Sequence, residues 1–318
     1  MATPVRLILG TMTFGPQVDP EGSKAMVRHF LGQGHLEIDT AYVYNGGDSE
    51  RYLGDALKDV ESSPVKLATK VNPRITGRLD ADAIRMQLTE SLTRLGQDRV
   101  DLLYLHFPDP GTPIESTLEA CAELHSQGRF TALGLSNFPA WQVVHIWHLC
   151  KAQGWPLPEV YQGLYNGLSR SIEAELLPAL RALGIRFYAY NPLAGGILAG
   201  KYASYHDEPT PGRFTFRPNY KARYWKKPFF DALDILAETC KASQVSLVEA
   251  AYRWLAWHSG LDGAERDGVI IGASNLAQLE QNIQIFAQGP LPDAVVAAFD
   301  TAWEAARPDA PEYFRTSV

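Results

Sequence analysis

Val65-Lys66-Leu67-Ala68-Thr69-Lys70, then Asp80 to Leu95, then Leu102-Leu103-Tyr104-Leu105-His106 read as strand, helix and strand. The outer runs are short and apolar, whereas the middle segment carries a helical period, and such a crossover brings two strands parallel in one sheet. The same alternation continues in both directions. Upstream lie candidate strands Arg6 to Leu9 and Leu36 to Asp39; downstream lie Thr131 to Ser136, Val160 to Tyr165, Arg186 to Tyr190 and Val269 to Gly272, eight in all. The segments between them have helical period: Ser23 to Gln33, Ser49 to Lys58, Thr112 to Gln127, Pro139 to Ala152, Ser171 to Leu183, Phe229 to Cys240 and Asn275 to Phe286. Repeated βα units of this kind predict an α/β fold, a single (β/α)8 barrel. Two pieces exceed the repeat. Asn191 to Pro228, rich in Gly, Pro and aromatics, and a further helix at Ser246 to His258 enlarge the connection after strand seven. Past Pro292 to Ala306, helical in pattern, residues Arg307 to Val318 form a polar tail with a Tyr313-Phe314 pair. With no linker, low-complexity run or duplication, one domain is expected over residues 1–318.

The chain has 318 residues, 46% hydrophobic and 20% charged, enough to bury a large core. Its net charge of −7 argues against a nucleic-acid partner, which needs a basic face. Cys121, Cys150 and Cys240 show no ligand spacing, so reduced thiols of a cytoplasmic protein are expected. Residues 1–10 lack the segments of a signal peptide, and no apolar run of about 18 residues predicts a membrane span.

No GxGxxG follows the first strand, where Leu9-Gly10-Thr11-Met12-Thr13-Phe14-Gly15 stands, and this weakens a doubly wound dinucleotide fold. The polar strand ends are more informative. Asp39, Lys70 and His106 end three successive strands, and Tyr44 follows Asp39 by five positions. In a parallel barrel those ends converge on one mouth. One such residue alone reads as a turn or cap residue, but three in succession suit proton transfer. A phenol has a pKa near 10, and a nearby ammonium favours its phenolate. Lys70 would supply that charge, Asp39 would pair with Lys70, and His106 would hydrogen-bond a carbonyl oxygen.

Asp39-Thr40-Ala41-Tyr42-Val43-Tyr44 resembles the D-T-A-x-x-Y signature of the aldo-keto reductases, and Lys70 and His106 fall where that family keeps its other catalytic residues. Leu105-His106-Phe107-Pro108-Asp109, Gly134-Leu135-Ser136-Asn137-Phe138, Val160 to Asn166 and Tyr188 to Gly196 look like the aflatoxin aldehyde reductase and succinic semialdehyde reductase branch. The resemblance implies a TIM barrel whose C-terminal tail covers the mouth, and NADPH-dependent reduction of aromatic aldehydes, dicarbonyls and semialdehydes. Tyr44 would be the general acid, Lys70 and Asp39 its tuning partners and His106 the carbonyl-orienting group. Ser136, Asn137 and Gln162 would bind the nicotinamide carboxamide, and Tyr190 would stack on its ring. Asn191, Pro192, Leu193, Gly195, Gly196 and Lys201 would wrap the pyrophosphate, with Met12 also at the cofactor. Ser274, Gln278, Gln281 and Asn282 would meet the adenosine end. Many relatives place a Lys and an Arg for the 2′-phosphate where this chain has Gly272 and Gln278, and Arg213 is expected to compensate. Tyr220, Arg223 and Arg315 would face the substrate, and two guanidinium groups favour a distal carboxylate. Related enzymes are often homodimers.

His145 and His148 lie one helical turn apart, but no HExxH or nearby carboxylate completes a metal site, and none is expected. Gly134 to Phe138 lacks the final Gly of a nucleophile elbow, which discounts a serine hydrolase. A non-catalytic NADPH-binding sensor subunit of the same family is the alternative; NADPH binding without turnover would distinguish it.

Overall fold

The computed structural model describes residues 4–60, 64–202, 204–209, 213–216 and 218–315, apart from the side chains of Arg213, Phe216 and Pro218. Among the described residues, eight parallel strands close into one barrel in chain order. β1 (Arg6–Gly10) leads to α1 (Pro20–Gly32), and β2 (Glu37–Asp39) leads to α2 (Asp48–Lys58). β3 (Lys66–Val71) leads to the single turn α3 (Pro73–Thr76) and then α4 (Ala81–Leu95), and β4 (Val100–Leu105) to α5 (Ile114–Ser126). β5 (Phe130–Ser136) is followed by α6 (Ala140–Gln153), and β6 (Pro158–Leu164) by α7 (Leu176–Leu183). After β7 (Arg186–Tyr190) the connection holds α8 (Arg213–Phe216), α9 (Pro218–Tyr224), α10 (Lys227–Ala242) and α11 (Leu247–Trp257). β8 (Gly268–Ile271), α12 (Leu276–Phe286) and α13 (Asp293–Ala306) complete the order. β1 pairs with β8 from Arg6 opposite Gly268 to Leu9 opposite Ile271, which closes the ring. This is the (β/α)8 TIM barrel that the alternation predicts.

Strand residues alternate between two cores, because successive side chains point to opposite faces. Ile8, Ala68, Leu102, Tyr104, Ala132, Val160, Tyr188 and Ile270 form one cluster drawn entirely from strands, the filling of the barrel. Their neighbours, such as Leu103, Leu105, Leu133 and Phe187, face outward and join the helix residues in the larger cluster. Gly134 makes room for the Tyr104 ring in the barrel interior, since a Cβ there would sit 2.4 Å from it.

Two segments differ from their sequence patterns. Ser171 to Leu183 is split into a 3-10 turn, Ser171–Glu173, and α7, with Glu175 at φ −135° between them. Pro178 explains the break: its ring would clash with the Ala174 carbonyl in a continuous helix. Asn191 to Pro228, rich in Gly and Pro, nevertheless contains a 3-10 stretch, Ala194–Ala199, with α8 and α9. Its aromatics supply a local core, in which Tyr202, Phe214 and Trp225 pack edge to face with one another and with Phe230 of α10 at 4.9 to 5.7 Å.

Candidate active site

Register decides what meets at the mouth. Asp39 lies opposite Gly10 and Ala68, Lys70 opposite Tyr104, and Ser136 opposite Gln162, so residues from adjacent strands end at one level. His106 follows β4, where its N–H donates to the Val71 carbonyl at 3.0 Å. Tyr44 opens a 3-10 turn after β2. Above these ends is a cavity of about 1080 Å³, lined by Asp39, Tyr44 and His106 together. Lys70, fully buried, lies beneath it.

The Lys70 ammonium is held by the Asp39 carboxylate at 2.5 Å and by the Thr40 carbonyl at 2.6 Å. Gln162 donates to the other Asp39 oxygen at 2.9 Å. Burial pulls Lys70 downward and Asp39 upward in pKa, and each partner's charge opposes that shift. Lys70 also feels Glu50, a buried carboxylate held by Thr69 and Arg94. The ammonium stands 5.0 Å from the centroid of the Tyr44 ring. Tyr44 in turn meets His106 edge to face, with ring centroids 6.0 Å apart. Burial, reinforced by the Lys70 and Arg74 charges, holds His106 well below the usual histidine pKa, so its ring is neutral at neutral pH. One charged pair, one phenol and one neutral imidazole at the edge of a deep cavity can hold and move a proton toward an oxygen atom bound there.

The residues expected at a cofactor line the same cavity: Met12, Ser136, Asn137, Gln162, Tyr190, Asn191, Pro192, Leu193, Gly195, Gly196 and Lys201, with Ser274, Gln278, Gln281 and Asn282 toward α12. The three side chains expected at a carboxamide already have hydrogen-bond partners. Besides the Gln162 bond to Asp39, the Asn137 amide donates to the His106 carbonyl and to Ser136 Oγ, each at 2.9 Å, and Asn137 Oδ1 accepts from the Tyr190 hydroxyl at 2.8 Å. Asn137 and Asn191, each just past a strand end, take left-handed backbones at φ 64° and 59°. Asn tolerates this better than most residues, and strained positions of this kind gather at working sites. Gly196 at φ 113° needs glycine, and a Cβ there would meet nothing nearer than Phe214 at 3.8 Å, so the backbone faces open cavity. The Arg213 side chain lies outside the described residues.

Tyr220 and Arg223 also line the cavity, and the Arg223 guanidinium sits 5.5 Å from the Tyr220 ring centroid. Arg315 is not a lining residue. Its backbone N–H donates to the Asn137 carbonyl at 2.9 Å, and the Tyr313 hydroxyl accepts from the Ala140 N–H at 3.1 Å, so the tail is laid over the mouth. Burial lowers the Arg315 pKa first, and the neighbouring Arg223 and Arg74 charges lower it further. Arg74, with its guanidinium 4.2 Å from the Phe107 ring centroid, is thus a third cation at this end and a lining residue absent from the sequence reading. Asn72 and Phe107 are likewise lining residues that the reading passed over. Their positions just past two polar strand ends are the signal that could have found them. His145 and His148 lie on α6, away from this cavity's lining.

The model of the Aldo/keto reductase family matches residues 6–304. The chain is 47% identical over 323 residues to human aflatoxin B1 aldehyde reductase member 2, covering 98% of this chain and 90% of that protein. It is 47% identical over 320 residues to human aldo-keto reductase family 7 member A3, with 97% and 96% covered. Oxidoreductase sirO of Leptosphaeria maculans is 36% identical over 323 residues, with 96% of each covered. A closed eight-stranded barrel, a buried lysine–aspartate pair beneath a tyrosine and a histidine, and these matches lead to one assignment: the chain belongs to the aldo/keto reductase family, oxidoreductases that act on small carbonyl compounds.

Proposed function

We propose that this chain is an NADPH-dependent aldehyde reductase in which Tyr44 gives the proton to the carbonyl oxygen. The observation that carries the reading is the Lys70–Asp39 pair under the Tyr44 ring with neutral His106 at its edge. The Lys70 charge favours the phenolate left after donation. His106 orients the carbonyl oxygen by a hydrogen bond, and Asp39 keeps Lys70 charged against the pull of burial. When bound, the reduced nicotinamide would supply the hydride. The residues that would hold it fit such a group: Asn191 Nδ2 is buried without a hydrogen-bond partner, and Gly196, which lines the same cavity, has open space where a side chain would be, a donor and a bare chain suited to a phosphate. Ser136, Asn137 and Gln162 would read the carboxamide and Tyr190 would pack on the ring. We read residues 1–318 as one catalytic domain. Buried, unpaired Cys121, Cys150 and Cys240 support a cytoplasmic location.

The test is a panel of aromatic aldehydes, dicarbonyls and carboxylate-bearing semialdehydes with NADPH and with NADH. NADPH-dependent reduction of aldehydes is expected; tight NADPH binding with no turnover of any member would favour the sensor reading instead. Arg213→Ala is expected to weaken NADPH binding about 10- to 150-fold while NADH changes little, the range for one charged contact to the 2′-phosphate. Equal losses for both cofactors would remove that role.

Substrate choice follows from the cations at the mouth. Arg223 and Arg315, with Arg74 beside them, favour a substrate whose far end is a carboxylate. Arg223→Ala or Arg315→Ala is expected to raise KM for succinic semialdehyde about tenfold and leave a neutral aromatic aldehyde nearly unchanged. Parallel shifts for both substrates would show that these side chains only shape the mouth.

A further inference from the structure

Asn72 is the last residue before α3, 2% exposed, and both sides of its amide are used. Its Oδ1 accepts from the Arg74 backbone N–H at 2.9 Å. That fixes which way the amide points, because a flipped amide would set its NH2 against another N–H donor. The NH2 group therefore faces His106 Nδ1, 3.1 Å away. Its backbone is gripped as well. Gln87 of α4, fully buried, accepts from the Asn72 N–H at 2.8 Å and donates to the Asn72 carbonyl at 3.1 Å.

A ring nitrogen that accepts from an amide carries no proton of its own. With Nδ1 so engaged, a neutral His106 must carry its proton on Nε2, the nitrogen left for the cavity that the ring lines. We propose that Asn72, clamped by Gln87, is a positioning residue that locks His106 in the Nε2–H tautomer, with a hydrogen-bond donor presented to the substrate carbonyl. This rests on the carbonyl-orienting role proposed for His106. An imidazole with its proton on Nδ1 would offer the carbonyl oxygen only a lone pair.

The charged and titratable groups around the ring are Lys70 of β3 with its partner Asp39 of β2, Tyr44 after β2 and Arg74 of α3; Phe107 stacks on its other side at 4.6 Å. Lys70 and Arg74 are cations and disfavour the imidazolium. A carboxylate in place of the Asn72 amide would reverse that balance while still accepting from the Arg74 N–H. In Asn72→Asp the ring is expected to bind a second proton more readily, and to keep its remaining proton on Nδ1 once neutral. Aldehyde reduction would then persist at low pH, where the imidazolium still donates from Nε2, and fall as pH rises through the raised histidine pKa. Above it, kcat is expected to be about 10- to 100-fold below wild type, the range for an outer partner that orients a working histidine. Asn72→Ala should lose less and gain no such pH dependence.

The experiment reads the tautomer directly by long-range proton–nitrogen correlation of the full chain labelled at its eight histidines, with and without NADPH. His106→Gln assigns the signal. The expected wild-type pattern is a bare Nδ1 and a protonated Nε2, which Asn72→Asp converts to a protonated Nδ1 with the pH-dependent kcat described. A wild-type ring protonated on Nδ1, or a ring unchanged in Asn72→Asp, overturns the inference. If the tautomer shifts as expected while kcat at high pH is untouched, the role of Asn72 stands and the carbonyl-orienting role of His106 fails.

Discussion

Tyr44→Phe is expected to lower kcat for aldehyde reduction by about 10²- to 10⁴-fold, the range for loss of a positioned proton donor, while the NADPH dissociation constant stays within a few-fold. The substitution isolates one atom. A phenylalanine ring keeps the face that lies 5.0 Å from the Lys70 ammonium and the edge contact with His106, so neither packing nor the cation–ring attraction is removed. Asp39 and Thr40 still hold the ammonium, and Gln162 still donates to the other Asp39 oxygen. The hydroxyl group is what the variant lacks. Steady-state rates with an aromatic aldehyde, NADPH titration by fluorescence and a thermal melt separate the three quantities. Activity within tenfold of wild type, in a protein that melts and binds NADPH normally, would assign the proton to another donor.

Lys70→Met tests the other half of the site and carries two consequences at once. Removing the ammonium beside the phenol is expected to cost kcat about 10²- to 10³-fold, as for loss of a preorganised charge. It also strands Asp39, whose side chain is 4% exposed, in a place where Lys70 is fully buried. Breaking a buried pair by removing one member destabilises a fold by about 3 to 5 kcal/mol. Burial already raises the Asp39 pKa, and without the opposing charge it rises further, so the folded variant keeps a proton that the unfolded chain gives up. More protons bound in the folded state mean that stability falls as pH rises above the ordinary carboxylate pKa near 4. Urea denaturation at acid and neutral pH checks that slope. Asp39→Asn/Lys70→Met, with no stranded charge, is expected to recover most of the stability and none of the activity. Recovery of both would mean that Lys70 serves the fold alone.

The parts of the site differ in how plainly the chain announces them. Asp39, Lys70 and His106 are legible because each is a polar residue closing an apolar strand, and the parallel barrel brings all strand ends to one face. Tyr44 is legible through the run that begins at Asp39. Asn72 and Arg74 were not, since two residues in a short connection look like turn residues until the fold sets one on the His106 ring and the other near Arg223 and Arg315. Gln87 is harder still. It is a polar residue in an amphipathic helix, and only the packing of α4 against the end of β3 turns it inward to the Asn72 backbone.

By itself the sequence determined the alternation of strand and helix, the eight units and the polar strand ends, because these depend on local period and on residue type at a given position. Tertiary structure alone decided the rest: the ring closure between β1 and β8, the helices inside the seventh connection and the tail laid on Asn137. It also decided that Asn137 accepts from the Tyr190 hydroxyl, that Gln162 donates to Asp39 and that His106 has its Nδ1 against an amide. Those are contacts between residues far apart in the chain, with directions set by which donor and acceptor remain unpaired after burial, and no local pattern encodes that pairing.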